Sequence, residues 1–194
     1  MRLPEIEHGD GLKNRLLIRL ISTMSGMRLP DAARVAFYHR EFFSTPMGAW
    51  THATMRGPSS WSIDERELMA AMVAKWNSCP FCIGANGAFA AKTMERRLVD
   101  AVVADYRAAS ISEALKAALS FLEIMTLRPA ELSGEHAKAA LRAGVSAQAR
   151  KDAATVATVF NIVTRYASAL DFAMPSASEF DRSAAMLLKR GYAS

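Results

Sequence analysis

Residues 62 to 89 read SIDERELMAAMVAKWNSCPFCIGANGAF, and they contain both cysteines of the chain, Cys79 and Cys82. The two cysteines form a C-x-x-C pair with Pro80 between them. Proline is excluded from the interior of a helix but suits its first turn, so a helix is predicted to begin around Cys79 and to run past Phe89. Both thiols would then lie at the positive end of the helix dipole, which stabilises a thiolate. The pattern therefore favours thiol redox chemistry.

Another helix is predicted directly before the cysteines. Ser62 and Glu65 match the S-x-x-E capping box, and the apolar body that follows, to about residue 77, is expected to lie deep in the protein. Glu67 is the one acidic residue within that body. If the chain turns back between residues 77 and 80, a rise of ~1.5 Å per residue brings Glu67 opposite position 86. Glu67, Cys82 and Asn86 can then form one site.

The remainder of the sequence predicts a single all-α domain over residues 1–194. The chain is 51% apolar and 22% charged, which suffices for a sizeable core. Residues 1–12 are expected to be an extended lead-in, and the motif-bearing core to span about residues 45–172. Further helices, and no strand, are predicted at about 13–24, 30–43, 45–56, 93–109, 112–128, 133–143, 146–170 and 178–189.

Composition also excludes several classes of protein. The net charge of the chain is only +5, and its lysines and arginines are scattered along the sequence. No nucleic-acid partner is therefore predicted. No stretch approaches the ~20 apolar residues of a membrane span, and the acidic residues near the N-terminus do not suit a secretory signal. Two cysteines cannot build a disulfide framework, and a structural zinc needs four ligands, which the sequence does not group together. We expect a soluble cytoplasmic protein without cofactor or metal.

One internal similarity predicts a weak duplication. The segments 62–77 and 146–161 share a serine cap, an arginine at the fifth position, an apolar body and an aromatic-Asn ending. If a helical hairpin is duplicated, Val163 and Tyr166 stand where the first copy has its cysteines. Only the first copy could then perform thiol chemistry.

The motif resembles that of a known superfamily. Glu67, eleven intervening residues and Cys79-Pro80-Phe81-Cys82 are similar to the signature of the alkyl hydroperoxidase D and carboxymuconolactone decarboxylase superfamily, a Glu, eleven residues and C-x-x-C-x-x-x-H. The segments around this motif and at residues 160–170, FNIVTRYASAL, resemble the peroxidase-related branch. The resemblance is strong over about residues 45–92 and weaker to about residue 172.

This resemblance implies an AhpD-like helical bundle that assembles as a homo-oligomer, a trimer or hexamer. It implies a thiol–disulfide redox enzyme that reduces a small-molecule peroxide or disulfide and takes electrons from a dithiol donor. Carried over by position, Cys82 is the attacking thiolate, Cys79 the resolving cysteine and Glu67 part of a proton relay.

Asn86 departs from the signature because it stands where the family has its relay histidine. An amide can hold a water or hydrogen-bond a thiolate, but it cannot take up a proton at neutral pH. Glu67 would act through water, or His39 or His52 would supply the imidazole from another helix. Two further interpretations stay open: a decarboxylase-type enzyme with incidental cysteines, and a non-catalytic helical oligomer that has lost the relay.

Overall fold

The computed structural model describes residues 1–38 and 45–190, and all regular secondary structure in these ranges is helical. This confirms the predicted all-α class. In chain order the helices are α1 (Pro4–His8), α2 (Leu12–Ser25), α3 (Asp31–Val35), α4 (Thr45–Arg56), α5 (Ile63–Trp76), α6 (Pro80–Ala90), α7 (Arg96–Asp105), α8 (Glu113–Leu127), α9 (Gly134–Arg142), α10 (Ala147–Leu170) and α11 (Ala177–Arg190). Among the described helices, none has both the length and the apolarity needed to cross a bilayer.

The N-terminal region differs from its prediction. Residues 1–12 are not wholly extended, because α1 forms within them. Pro4 occupies the first turn of α1, and Glu5 and Glu7 favour its positive end. The helix predicted from Pro30 is described only as α3, which is followed by turns at residues 36–38, and the rest of its predicted range, residues 39–43, lies outside the described residues.

Helix α5 forms the centre of the molecule. The predicted capping box is present: the Ser62 hydroxyl accepts the Glu65 N–H at 3.3 Å, and the Glu65 carboxylate accepts the Ser62 N–H at 2.9 Å. The helix packs against α6, α8 and α10, and its residues from Arg66 to Ala74 are all buried. An apolar surface on every side is what allows this helix to be enclosed by the others.

Helix α10 runs alongside α5 in the same direction. The Trp61 indole N–H, beside the start of α5, donates to the Ala149 carbonyl at 2.7 Å, and the Asn77 amide at its end donates to the Asn161 side chain at 3.0 Å. However, α10 continues without a break to Leu170, so the described residues contain no second copy of the α5–α6 hairpin. The duplication prediction is wrong in this respect, because residues 162–170 contain no proline or glycine to end the helix after Asn161.

The N-terminal region contacts the C-terminal end of α10 and the segment that follows it. The Arg2 N–H donates to the Leu170 carbonyl at 2.8 Å, and the Ala173 N–H donates to the Asp31 carboxylate at 2.7 Å. Asp31 is fully buried and is also paired with Arg28 at 2.6 Å. From this junction the chain continues into α11, which packs on α6.

Candidate active site

A tight turn between α5 and α6 positions the two cysteines. Ser78 has a φ of +53°, a left-handed conformation that is uncommon for a residue other than glycine. The next N–H, that of Cys79, donates back to the Ala74 carbonyl at 2.9 Å, which closes the turn. The Asn77 amide donates to Asn161 and to the Thr164 hydroxyl, both at 3.0 Å, and so fixes the turn against α10.

Cys79 caps the N-terminus of α6, and Cys82 lies in its first turn. Both thiols are free and only 2% exposed, and their sulphur atoms are in near contact at 2.7 Å. The Cys82 backbone N–H donates to the Cys79 Sγ at 3.4 Å. The predicted helix start at Cys79 is therefore confirmed, and the two sulphurs share one hydrogen bond.

The surroundings of the two sulphurs shift the pKa values of the two thiols in opposite directions. The thiol hydrogen bond from Cys82, with that residue's backbone N–H and the Ser168 hydroxyl, lowers the pKa of Cys79 to about 7 against the opposing effect of burial. The same hydrogen bond and burial raise the pKa of Cys82. The contact between the two sulphurs can place the shared proton on either of them, whereas the Cys82 backbone N–H donates to the Cys79 Sγ. This N–H favours negative charge on Cys79, so we favour Cys79 as the thiolate. The family resemblance implied the other assignment, with Cys82 as the attacking thiolate, and that assignment stays a prediction.

Glu67 lies in the buried part of α5 and is paired with a residue that the sequence did not single out. Its side chain is 1% exposed, and its Oε1 lies 2.8 Å from a guanidinium nitrogen of Arg56 on α4. The same guanidinium lies over the Phe89 ring of α6, 5.5 Å from its centroid. A buried carboxylate requires a cation or hydrogen bonds. The sequence therefore indicated that Glu67 needs a partner, but it did not indicate that the partner is Arg56.

Asn86 is buried on α6, one turn after Cys82. Its amide nitrogen donates to the Cys82 backbone carbonyl at 2.8 Å, so this donor is directed to the helix backbone and not to a sulphur. Of the two histidines considered as substitutes for the relay imidazole, His39 lies outside the described residues. His52 lies on α4 one turn before Arg56, and therefore on the same side of that helix.

Aromatic side chains enclose the cysteine pair. The Phe81 ring contacts Phe172 and Phe180, with ring centroids 5.1 Å and 5.9 Å away. Phe180 lies directly over Gly84, where a Cβ atom would come within 2.6 Å of the Phe180 ring. Helix α11 and the segment before it therefore cover the apolar cluster that contains both thiols.

The open depressions on the surface lie away from the two cysteines. Two open depressions of about 370 and 540 Å³ are lined by neither cysteine. Within residues 1–38 and 45–190, no three His, Cys, Asp or Glu side chains are grouped as metal ligands would be. The cysteine pair thus lies under a cover of its own chain rather than at the base of an open cleft.

Comparison with solved structures identifies the architecture. A peroxidase-related protein from Silicibacter sp. TM1040 matches with a TM-score of 0.77 over 93% of both chains, at 24% sequence identity. A second, described as an alkylhydroperoxidase AhpD core from Ralstonia eutropha JMP134, matches with a TM-score of 0.75 over 93% of this chain and 94% of that chain, at 21% identity. The chain has the AhpD-like fold.

The AhpD-like fold also includes a debrominase among the similar structures. The debrominase Bmp8 matches with a TM-score of 0.68 over 90% of this chain and 92% of that chain, at 18% identity. A cysteine-to-alanine variant of Bmp8 in complex with 2,3,4-tribromopyrrole matches with a TM-score of 0.69. No protein-family model matches the sequence, and no match is found among curated proteins.

Proposed function

We propose that this protein is a thiol–disulfide redox enzyme that reduces a hydroperoxide or a disulfide through Cys79 and Cys82. The observation that carries the proposal is the pair of free sulphurs in near contact at the N-terminus of α6. The positive end of the helix and the Cys82 N–H both stabilise a thiolate at this point. The AhpD-like fold supports the same class of chemistry.

With a hydroperoxide, the reaction runs in two steps. The thiolate attacks the terminal oxygen, the O–O bond breaks, and the alcohol leaves with a proton while the sulphur becomes a sulfenic acid. The second thiol then attacks that sulphur, water leaves, and a Cys79–Cys82 disulfide forms. Two electrons from an external dithiol return the pair to the reduced state. We assign the first attack to Cys79, because its pKa is lowered, and the resolving step to Cys82.

The test is consumption of cumene hydroperoxide by the reduced protein with dithiothreitol as donor. Cys79→Ser should abolish turnover, because it removes the attacking thiolate. Cys82→Ser should lower the rate, because the sulfenic acid on Cys79 must then be reduced directly by dithiothreitol. Asn86→His, which restores the imidazole of the family signature, should raise the rate. Full activity in either cysteine variant, or no turnover by the wild type with any dithiol, would contradict the proposal. Activity on another substrate in a Cys79→Ala/Cys82→Ala variant would instead favour the decarboxylase-type interpretation.

One observation favours a second candidate, reductive dehalogenation of an aromatic compound. Phe81, Phe172 and Phe180 place aromatic rings beside the thiols, and such rings suit an aromatic substrate. Loss of a halide would again convert the two thiols to a disulfide, with a proton replacing the halogen on carbon. Bromide release from a brominated pyrrole, measured with the same variants, distinguishes this candidate from peroxide reduction.

A further inference from the structure

Arg165, on α10, lies at an open depression in the surface of the protein. The depression has a volume of about 540 Å³, and its lining comes from the C-terminal part of α8, from Pro129 and from α10. Met125, Pro129 and Ile162 supply its apolar part, and Asn161 is a polar neighbour of Arg165 in the lining. Sites for small molecules commonly span ~300–1,000 Å³ and combine an apolar lining with a few polar groups. The depression therefore has the size and the composition of such a site.

Two hydrogen bonds hold the Arg165 guanidinium in place. Its Nη1 donates to the backbone carbonyl of Asn161 at 2.8 Å and to the side-chain oxygen of the same residue at 2.7 Å. Asn161 is fixed in turn, because its amide donates to the Thr126 hydroxyl at 3.2 Å and to the Ala157 carbonyl at 2.9 Å. Both bonds of Arg165 use one nitrogen, so the edge formed by Nε and Nη2 is left for a ligand. A guanidinium that is already ordered loses less conformational freedom when it binds one.

The positive charge of Arg165 is not neutralised by a carboxylate of the described chain. Among the described residues Arg165 forms no ion pair, and its two hydrogen bonds go to uncharged acceptors. None of the described residues that line the depression is acidic. At the smaller depression, by contrast, the two cations are each paired with a carboxylate: Arg107 with Glu123, and Lys116 with Glu113. The charge of Arg165 is therefore available to an anionic ligand.

The guanidinium and the apolar lining together define a class of ligand. The planar edge of a guanidinium matches the two oxygens of a carboxylate or a phosphate. A phosphate monoester carries about two negative charges at neutral pH, but Arg128, the cation next to Pro129 in the chain, is already paired with Glu131 at 3.0 Å. A carboxylate needs only one cation. Ile162 is 42% exposed, so a hydrocarbon group that covers it removes apolar surface from water.

We propose that the depression at Arg165 binds a small monocarboxylate with an apolar body. The carboxylate accepts hydrogen bonds from Nε and Nη2 of Arg165, and the body lies against Met125, Pro129 and Ile162. Neither cysteine lines the depression, so the proposed site is separate from the thiols. The inference does not depend on the redox proposal.

The first test is calorimetric titration of the wild type and two arginine variants with octanoate. The wild type should bind octanoate saturably, and Arg165→Gln should weaken binding about tenfold or more, because charge-assisted hydrogen bonds are lost. Arg128→Gln is the matched control, since Arg128 adjoins Pro129 but is paired with Glu131, and its affinity should be close to that of the wild type. No saturable binding by the wild type, or equal affinity in the two variants, would overturn the proposal.

The second test separates the contribution of the charge from that of the apolar body. Octanol has the same body without the charge, and acetate has the charge without the body. Each should bind more weakly than octanoate, because each lacks one of the two contacts. Octanol that binds as tightly as octanoate would overturn the role of Arg165. Tighter binding of octyl phosphate would overturn the assignment to a carboxylate.

A second variant keeps the test independent of any change in packing when Arg165 is replaced. Ile162→Glu retains Arg165 and places a carboxylate at an exposed position in the lining of the same depression, where it should repel octanoate. Helical circular dichroism checks that the fold is kept. Unchanged octanoate affinity in folded Ile162→Glu would contradict the site.

Two further outcomes would assign the binding elsewhere. The Cys79→Ser/Cys82→Ser variant should bind octanoate as the wild type does, and clearly weaker binding would place the ligand at the thiols instead. The solution mass should be the same for the wild type and Arg165→Gln. A smaller mass in Arg165→Gln would mean that a carboxylate of a second copy occupies the depression, which would overturn the proposal.

Discussion

The shared hydrogen bond between Cys79 and Cys82 makes the acidity of one thiol depend on the side chain at the other position. Cys82→Ala removes the side-chain donor, so the pKa of Cys79 should rise from about 7 toward the ordinary value of ~8.5. Cys82→Ser keeps a hydroxyl donor and should hold the pKa of Cys79 lower than the alanine variant does. Titration of thiolate absorbance measures both variants, and a pKa of Cys82 below the ordinary value of ~8.5 in Cys79→Ala would assign the thiolate to Cys82.

The same acidity sets the expected pH dependence of peroxide reduction. A thiol with a lowered pKa is protonated below that pKa and becomes the reactive thiolate as the pH rises through it. The rate of oxidation should therefore rise with pH and level off above about 7, the pKa of Cys79. A rate that falls across this range would contradict a thiolate mechanism.

Breaking the buried ion pair between Arg56 and Glu67 should destabilise the protein strongly. Arg56→Gln removes the guanidinium that lies 2.8 Å from the Glu67 carboxylate, and breaking a buried ion pair from one side costs about 3–5 kcal/mol. Replacing both residues, Arg56→Gln with Glu67→Gln, should recover part of this loss because the buried negative charge is removed together with the guanidinium. Chemical denaturation measures each variant. Lys138→Gln, which breaks an exposed ion pair with Glu135, should cost only about 0–1 kcal/mol.

At this scale the sequence predicted the cysteines and Glu67 from their spacing but not Arg56. Arg56 and Glu67 are brought together by the packing of α4 on α5 across the Gly57-Pro58 break. No local pattern encodes the angle at which two helices cross, so the pair could not be predicted. The relative acidity of the thiols also depends on the turn geometry, including the Ser168 hydroxyl from α10.

Two glycines on α6 give a matched test of how closely α11 packs on the cysteine helix. A Cβ at Gly84 would lie 2.6 Å from the Phe180 ring, whereas one at Gly87 would meet only Val99 at an ordinary 3.9 Å. Gly84→Ala should therefore suffer an overpacking cost of about 1–3 kcal/mol. Gly87→Ala should be neutral or more stable, because alanine favours helix by up to ~1 kcal/mol. Equal stability of the two variants would show that Phe180 moves aside freely.

Helices whose ends carry capping residues or a proline were predicted well. The capping box at Ser62 and the proline after Cys79 gave the α5–α6 hairpin its correct boundaries. The duplicated hairpin was predicted wrongly because the two segments share their length and capping residues. The second segment has no helix breaker directly after Asn161, so α10 continues to Leu170. The cover formed by α11 had no local signal beyond an amphipathic helix, because the pattern does not state which neighbour its apolar face contacts.

Across the whole molecule, Asp31 joins the N-terminal helices to the segment that leads into α11. Asp31→Ala removes a charged acceptor from the Ala173 N–H, with an expected loss of about 1.5–3 kcal/mol. Loosening of the segment before α11 should also raise the rate at which the thiols react with a maleimide. Asp10→Ala is the control, because Asp10 is exposed and accepts a hydrogen bond from its near neighbour Asn14. Its effect on the free energy of unfolding should stay within about 0.5 kcal/mol. Equal maleimide rates in the two variants would show that the contact between Asp31 and Ala173 does not control access to the thiols.

The hydrogen bond from the Arg2 N–H to the Leu170 carbonyl has a practical consequence for handling the protein. An affinity tag fused ahead of Met1 would emerge beside the end of α10, a few residues before Phe172 in the aromatic enclosure of Cys79 and Cys82. Tagged material should therefore be assayed only after the tag has been cleaved, because extra residues there would change thiol reactivity through crowding.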